Sequence, residues 1–436
     1  MMRARYLLSR VGFLCLLLST GLDCNTHQKG LDLDSLAERY VRLSLDVGRY
    51  DPDFIDAYYG PEEWKPNTRL ADTLPSSLNQ ALAALIEDIN ACPIPNITEE
   101  IARLHMLQKQ CLAMTAKVNM LQGRRYSFDE EAELLYDIVP PHHPFSHFDE
   151  LLSDLDELIP GKGDLAERYR AFASNFIIPV EKLDTVFQAA INEARSRTKE
   201  HFNLPPNENF AIEYVRDKSW SGYNYYQGNS YSLIQINTDF PIYIERAIDL
   251  ACHEGYPGHH VYNTLLEQNL VKNKGWIEFS LYPLFSPQSF IAEGSANYGI
   301  DLAFPGRQKL DFERRTLYPL AGLDSTQAER YSEIQDLRSK LNYAGNEIAR
   351  LYLQGAIGRE EAAELLEKYL LYEPDRALQR TRFIDQYRSY VINYNLGQDI
   401  IANFIRQEAG MDYEKRWQVF EFLLSNPVTA SMISTY

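Results

Sequence analysis

The sequence predicts a mainly α protein with a small β-sheet set against a histidine-bearing helix. Three observations carry this. Apolar residues recur at helical spacing through most of residues 31–202 and again over 325–424. Period-two runs rich in β-branched and aromatic residues occur only over 210–236. No repeat, low-complexity tract or clear linker divides residues 25–436, which are therefore expected to form a single domain.

A chain of 436 residues, 45% hydrophobic, has ample material for a buried core. Its net charge of -18 repels phosphate backbones, so no nucleic-acid partner is expected. Residues 1–24 read as a signal peptide: Arg3, Arg5 and Arg10 flank the start of an apolar run from Val11 to Leu18, and Ser19, Thr20 and Gly21 follow. Export to the periplasm or the extracellular space is expected, with Cys24 a candidate lipoprotein cysteine. No transmembrane helix is expected in the mature chain. The remaining Cys92, Cys111 and Cys252 are too few for a disulfide framework and are expected to be buried as small hydrophobes.

The elements follow in order. A helix is expected over 31–48, then a proline-broken loop, then helices over 76–92 and 98–121. Ser127-Phe-Asp-Glu130 is a capping-box sequence that opens the next helix. His142, His143 and His147 fall in and beside a proline-rich stretch without companions at ligand spacing, so they are expected in a solvated loop. Helices are expected over 148–158 and 165–202, the latter kinked or broken at Pro179. Strands follow at 210–215 and 231–236, with 220–226 either a third strand or a loop. Asn237 to Asp239 are N-cap types, and Pro241 suits a first helical turn. Helices over 325–354, 359–372, 381–406 and 412–424 complete the chain.

The candidate site lies on the helix after the second strand. His253-Glu-Gly-Tyr-Pro-Gly-His-His260 packs three of the nine histidines and one glutamate into eight residues. A zinc site needs about three protein ligands and an open position. His253 and His259 are too far apart on a regular helix, about 9 Å along its axis. Gly255, Pro257 and Gly258 argue against a regular helix. A break at Tyr256–Gly258 could return His259 to His253, with His260 pointing elsewhere as a supporting group or substrate contact. Glu293, amid small residues in Glu293-Gly-Ser-Ala-Asn-Tyr298, is a candidate third ligand or an ordinary half-buried glutamate.

These two motifs, with the strand leading to Asn237 and the segment Asn393-Tyr-Asn-Leu-Gly397, resemble the large bacterial family catalogued as domain of unknown function 885, regarded as zinc-metallopeptidase-like. Ser295 stands where that family usually has a tryptophan, and the proline-glycine stretch that usually precedes the last segment is absent. The resemblance implies a gluzincin-type fold of helices around a large cleft. It implies that His253, His259 and Glu293 bind Zn2+ and that Glu254 is the general base. It implies that Tyr394 or Tyr390 steadies an oxyanion and that the 235–237 edge holds a short peptide substrate, with Asn237, His260 and Tyr390 as candidate contacts. A non-catalytic exported peptide- or metal-binding protein and a zinc hydrolase of a non-peptide amide or ester share the same residues.

Overall fold

Amphipathic helices with capped starts build the N-terminal scaffold. A computed structural model describes residues 32–67 and 74–434; the expected signal peptide and Cys24 lie outside that range. Helix α1 (Leu33–Val47) is capped by the Asp32 side chain, which accepts from the Asp34 N–H, and buries Leu36, Tyr40 and Val47. Then come α2 (Ser76–Ala91), α3 (Thr98–Leu121) and α4 (Phe128–Tyr136). The capping box before α4 is formed: Ser127 Oγ accepts from the Glu130 N–H, and the Glu130 carboxylate accepts from the Ser127 N–H at 2.9 Å. Helix α5 (Phe145–Leu158) begins earlier than expected, so His147 sits on its first turn rather than in a loop. The expected 165–202 helix is broken around Pro179 into α6 (Leu165–Ala173) and α7 (Leu183–His201).

Two small sheets stand among the helices. One holds β2 (Asn209–Val215), β3 (Gly222–Tyr226) and β4 (Tyr231–Asn237) in the order β2-β4-β3, with β2 parallel and β3 antiparallel to β4. The other pairs β1 (Ile55–Tyr58) antiparallel with β5 (Leu281–Pro283). This corrects two expectations, that the stretch after α1 is only a loop and that β structure is confined to 210–236. Four- and three-residue strands are too short for a period-two signal, and their pairing joins distant parts of the chain.

The rest is helical: α8 (Glu245–Leu250), α9 (His259–Leu266), α10 (Pro287–Ala303), α11 (Gln308–Phe312) and α12 (Tyr318–Ala321). They continue as α13 (Ala328–Ser339), α14 (Asn342–Leu353), α15 (Arg359–Leu370), α16 (Pro374–Tyr387), α17 (Ile392–Ala409), α18 (Tyr413–Ser425) and α19 (Ala430–Ile433). The single helix expected over 325–354 is two, separated by a tight turn at Lys340–Leu341. The one expected over 381–406 begins at Pro374 and is interrupted at Arg388, whose φ of 55° ends α16.

One continuous apolar core runs from Leu36 to Ile433. Buried ion pairs orient its two halves: Arg103 forks onto Glu278 at 2.6 and 2.9 Å, and Arg388 meets Glu131 at 2.7 Å. Desolvation offsets much of the gain from such pairs, so their contribution is mainly to orientation. Helix α10 lies along α17 at a glycine crossing. A Cβ on Gly294 would sit 2.5 Å from the Gly397 backbone, so both glycines are needed for the helices to approach. Cys111 and Cys252 are buried, and none of the three described cysteines is in a disulfide. Among the described residues no helix is long and apolar enough to cross a membrane.

Candidate metal centre

The break expected in the histidine motif is present, and its hydrogen bonds explain its shape. Helix α8 widens into a π turn over Ala251–Gly255, which carries His253 and Glu254. The Tyr256 N–H then returns to Ala251 O at 3.0 Å and the Gly258 N–H to Cys252 O at 2.9 Å. The Tyr256–Pro257 peptide between them is cis. A Cβ on Gly258 would lie 1.9 Å from His253 O, so only glycine fits. Helix α9 starts afresh at His259.

This folding-back brings His259 Nε2 to 3.2 Å from His253 Nε2. Helix α10 adds Glu293, with Oε2 3.2 Å from His253 Nε2 and Oε1 3.4 Å from His259 Nε2. Among the described residues this is the one group of three whose ligand atoms could hold a metal ion. The fit to a metal can be tested on distances. Bonds of about 2.0–2.1 Å to a tetrahedral ion give ligand–ligand edges of about 3.3–3.4 Å, close to the spacings observed. Buried Glu293 Oε2 makes no hydrogen bond despite its short approach to His253. Two imidazole nitrogens and a carboxylate suit zinc.

Neighbouring groups fix the ligand side chains. The Tyr394 carbonyl can only accept, so it takes the Asn297 Nδ2 donor at 2.8 Å. Asn297 Oδ1 then faces His253 Nδ1 at 2.9 Å, which places the proton on Nδ1 and leaves Nε2 free as a ligand atom. Asn297 lies one turn beyond Glu293 on α10, and the sequence motif contained it without revealing that role. Tyr390 donates its hydroxyl to Glu293 Oε1 at 2.7 Å. It also lines the cavity, so it orients a candidate ligand while facing the place expected for substrate. The Tyr394 ring stacks near His253, 6.3 Å between centroids, and lines the cavity.

Glu254 is only 4% exposed and faces the same cavity. Burial pushes its carboxyl upward and Glu293 adds to this, while His253 and His259 oppose it. Strand β3 passes so close that a Cβ on Gly222 would lie 2.8 Å from Glu254 Oε1. Asn224 on the same strand donates to the Glu254 carbonyl at 2.7 Å.

Two expected contacts are corrected. Asn237 is on β4, the central strand, whose two edges are both paired, so 235–237 cannot hold an added peptide strand. Its side chain donates to Lys218 O and Trp220 O at 3.1 and 2.9 Å and accepts from the Asp239 N–H, so it organises a loop rather than capping a helix. The unpaired sheet edge at the cavity belongs to β3. His260 is fully buried on the opposite side from His259, with Nδ1 2.8 Å from Ser232 Oγ and Nε2 3.3 Å from Glu208 Oε2. It does not line the cavity that His253 and His259 share.

Asp56 was missed. It projects from β1 into the cavity and accepts from the Tyr223 hydroxyl of β3. Burial, reinforced by Glu293 and Glu254, pushes its carboxyl well above the usual range. Only the pairing of β1 with β5 carries it there, and no local signal announces that. His142 is exposed and pairs with Asp129 at 2.9 Å, as a solvated histidine would. The cavity joining these groups is about 920 Å³.

No family model matches the chain, and no curated protein matches it. It is similar to the crystal structure of a candidate lipoprotein from Colwellia psychrerythraea, at 14% identity and TM-score 0.53 over 84% of this chain. That match spans 63% of the Colwellia chain, less than two thirds of its length. At this identity the likeness is one of fold. A candidate lipoprotein of unknown function from Shewanella oneidensis matches at 14% identity over 82% of this chain and 70% of that one, TM-score 0.45. A structure described as BsuCP matches at 12% identity over 91% and 89%, TM-score 0.47.

Proposed function

We propose that this protein is an exported zinc-dependent peptidase of short peptides, of the kind catalogued as domain of unknown function 885. The observation that carries the reading is the convergence of His253, His259 and Glu293 beside Glu254 and an unpaired strand edge. Zinc held by those three residues would supply Lewis-acid polarisation of the scissile carbonyl and acidify water. The chain's own residues do the rest. Glu254, nearly fully buried at the edge of the cavity, accepts the proton from the attacking water and passes it to the leaving amine. Strand β3 pairs with the extended peptide and sets its register. Tyr394 offers its hydroxyl to the developing oxyanion. Tyr390 and Asn297 keep Glu293 and His253 aimed.

Export rests on residues 1–24, and the Colwellia chain of similar fold is itself described as a candidate lipoprotein. The test is a peptide-library digest by wild type and Glu254→Gln with metal content measured on both. Hydrolysis is expected to fall about 10³-fold in the variant while zinc stays bound. Undiminished cleavage by Glu254→Gln would refute the mechanism.

A further inference from the structure

One wall of the cleft carries two arginines that have no carboxylate partner among the described residues. Arg376 and Arg380 lie one turn apart on α16 and share a face. Both line the cavity that contains the candidate metal centre. The Arg376 guanidinium sits over the Tyr372 ring at 4.9 Å and that of Arg380 over Phe383 at 4.3 Å. Among the described residues neither has a carboxylate partner or a hydrogen bond. Stacking holds a guanidinium by its face and leaves its edge donors free.

The surrounding charges do not cancel this pair. Arg246 and Arg338 line the same wall. Of the nearby acids, Glu245 accepts from Tyr331 at 3.0 Å and Asp249 pairs with Lys309 at 2.5 Å, with Arg246 at a longer 3.5 Å. Asp336 also faces the cavity without an ion pair. Burial, with Arg338 and Arg246 adding to it, holds Arg376 below its ordinary range. The same arginines draw the Tyr372 phenol down against burial. In a chain of net charge -18, an uncompensated cationic wall calls for an anion from outside.

We propose that Arg376 and Arg380 form a carboxylate subsite that takes the free C-terminus of the peptide being cleaved. The proposal rests on the peptidase reading above. Arg380 acts on the Tyr394 phenol, whose ring stacks near His253 with 6.3 Å between centroids, so the subsite and the candidate metal centre open onto the same cleft. Hydrolysis adds water across the scissile C–N bond, giving a new carboxylate on one fragment and an amine on the fragment that carries the bound terminus.

The experiment compares one peptide as free acid and as C-terminal amide, plus an amidated version ending in Glu. Wild type should cleave the acid about 10- to 100-fold faster in kcat/KM, with the Glu-amide peptide behaving like the plain amide. In Arg376→Gln, and separately in Arg380→Gln, the acid-to-amide ratio should fall toward one. Equal rates on acid and amide by wild type overturn the subsite and leave the peptidase reading standing. A Glu-amide peptide cleaved as fast as the acid overturns the C-terminal assignment. Should wild type cleave no peptide, binding to Glu254→Gln decides. Acid bound about 10-fold tighter than amide, with the difference lost in Arg376→Gln/Glu254→Gln, upholds the subsite although the peptidase reading fails. Equal binding overturns both.

Discussion

His259 and His260 are neighbours in sequence and opposites in setting. His259 turns into the cleft, where its Nε2 faces His253 and Glu293. His260 turns into the body of the protein, against Ser232 and Glu208. Behind it Glu208 gathers Arg195 at 2.7 Å, Lys199 at 2.7 Å and the Tyr256 hydroxyl. The front group is a set of acceptors crowded together and short of donors. The back group is a carboxylate saturated with donors. Crowded acceptors await a cation, while saturated ones hold a fold in place. The break at Tyr256–Gly258 sorts the two histidines onto these two faces.

That contrast can be broken most severely at Gly258. Gly258→Ala places a Cβ against His253 O, and is expected to cost about 4 kcal/mol or more and to abolish metal binding. Chemical denaturation and metal analysis on the same sample check both effects.

The back face should respond to acid. Burial works against the Glu208 charge, yet hydrogen bonds from His260, Lys199, Tyr256 and Arg195 outweigh it and hold the carboxyl down at about 2, against 4.5 ordinarily. A depressed carboxyl contributes stability that is present above about pH 4.5 and lost as pH falls toward 2. The contribution is about 3 kcal/mol. Denaturation across that window should show the loss in wild type, and a smaller one in Glu208→Gln.

Two gentler changes separate the faces. His260→Ala strips one donor from Glu208 and is expected to cost about 2 kcal/mol of stability while metal affinity is retained. Asn297→Ala frees the ring of His253, and metal affinity should fall about 10- to 100-fold with little loss of stability. Thermal unfolding and competitive chelator titration distinguish the two patterns.

Much of this was legible in the sequence because it was local. The helix starts at Ser127 and Thr98, the strands after Pro206 and the break at Gly258 are written in adjacent residues. The convergence of His253 and His259 followed from that break. What sequence could not supply was pairing across distance. Asp56 reaches the cleft only because β1 finds β5, and Asn237 is excluded only because β3 and β2 flank β4 on both sides. His260 and Tyr390 were assigned to substrate because histidine and tyrosine beside a metal motif suit it. Their partners, Glu208 and Glu293, reach them through tertiary packing. The helices over 325–354 and 381–406 read as unbroken because neither Lys340 nor Arg388 is a helix breaker by type.

The central claim is that His253, His259 and Glu293, and not His260, hold a cation. Metal-to-protein ratios measured on zinc-loaded and desalted wild type, His259→Ala and His260→Ala test it most directly. About one zinc per chain is expected in wild type and in His260→Ala, and almost none in His259→Ala. Zinc kept by His259→Ala and lost by His260→Ala would contradict it.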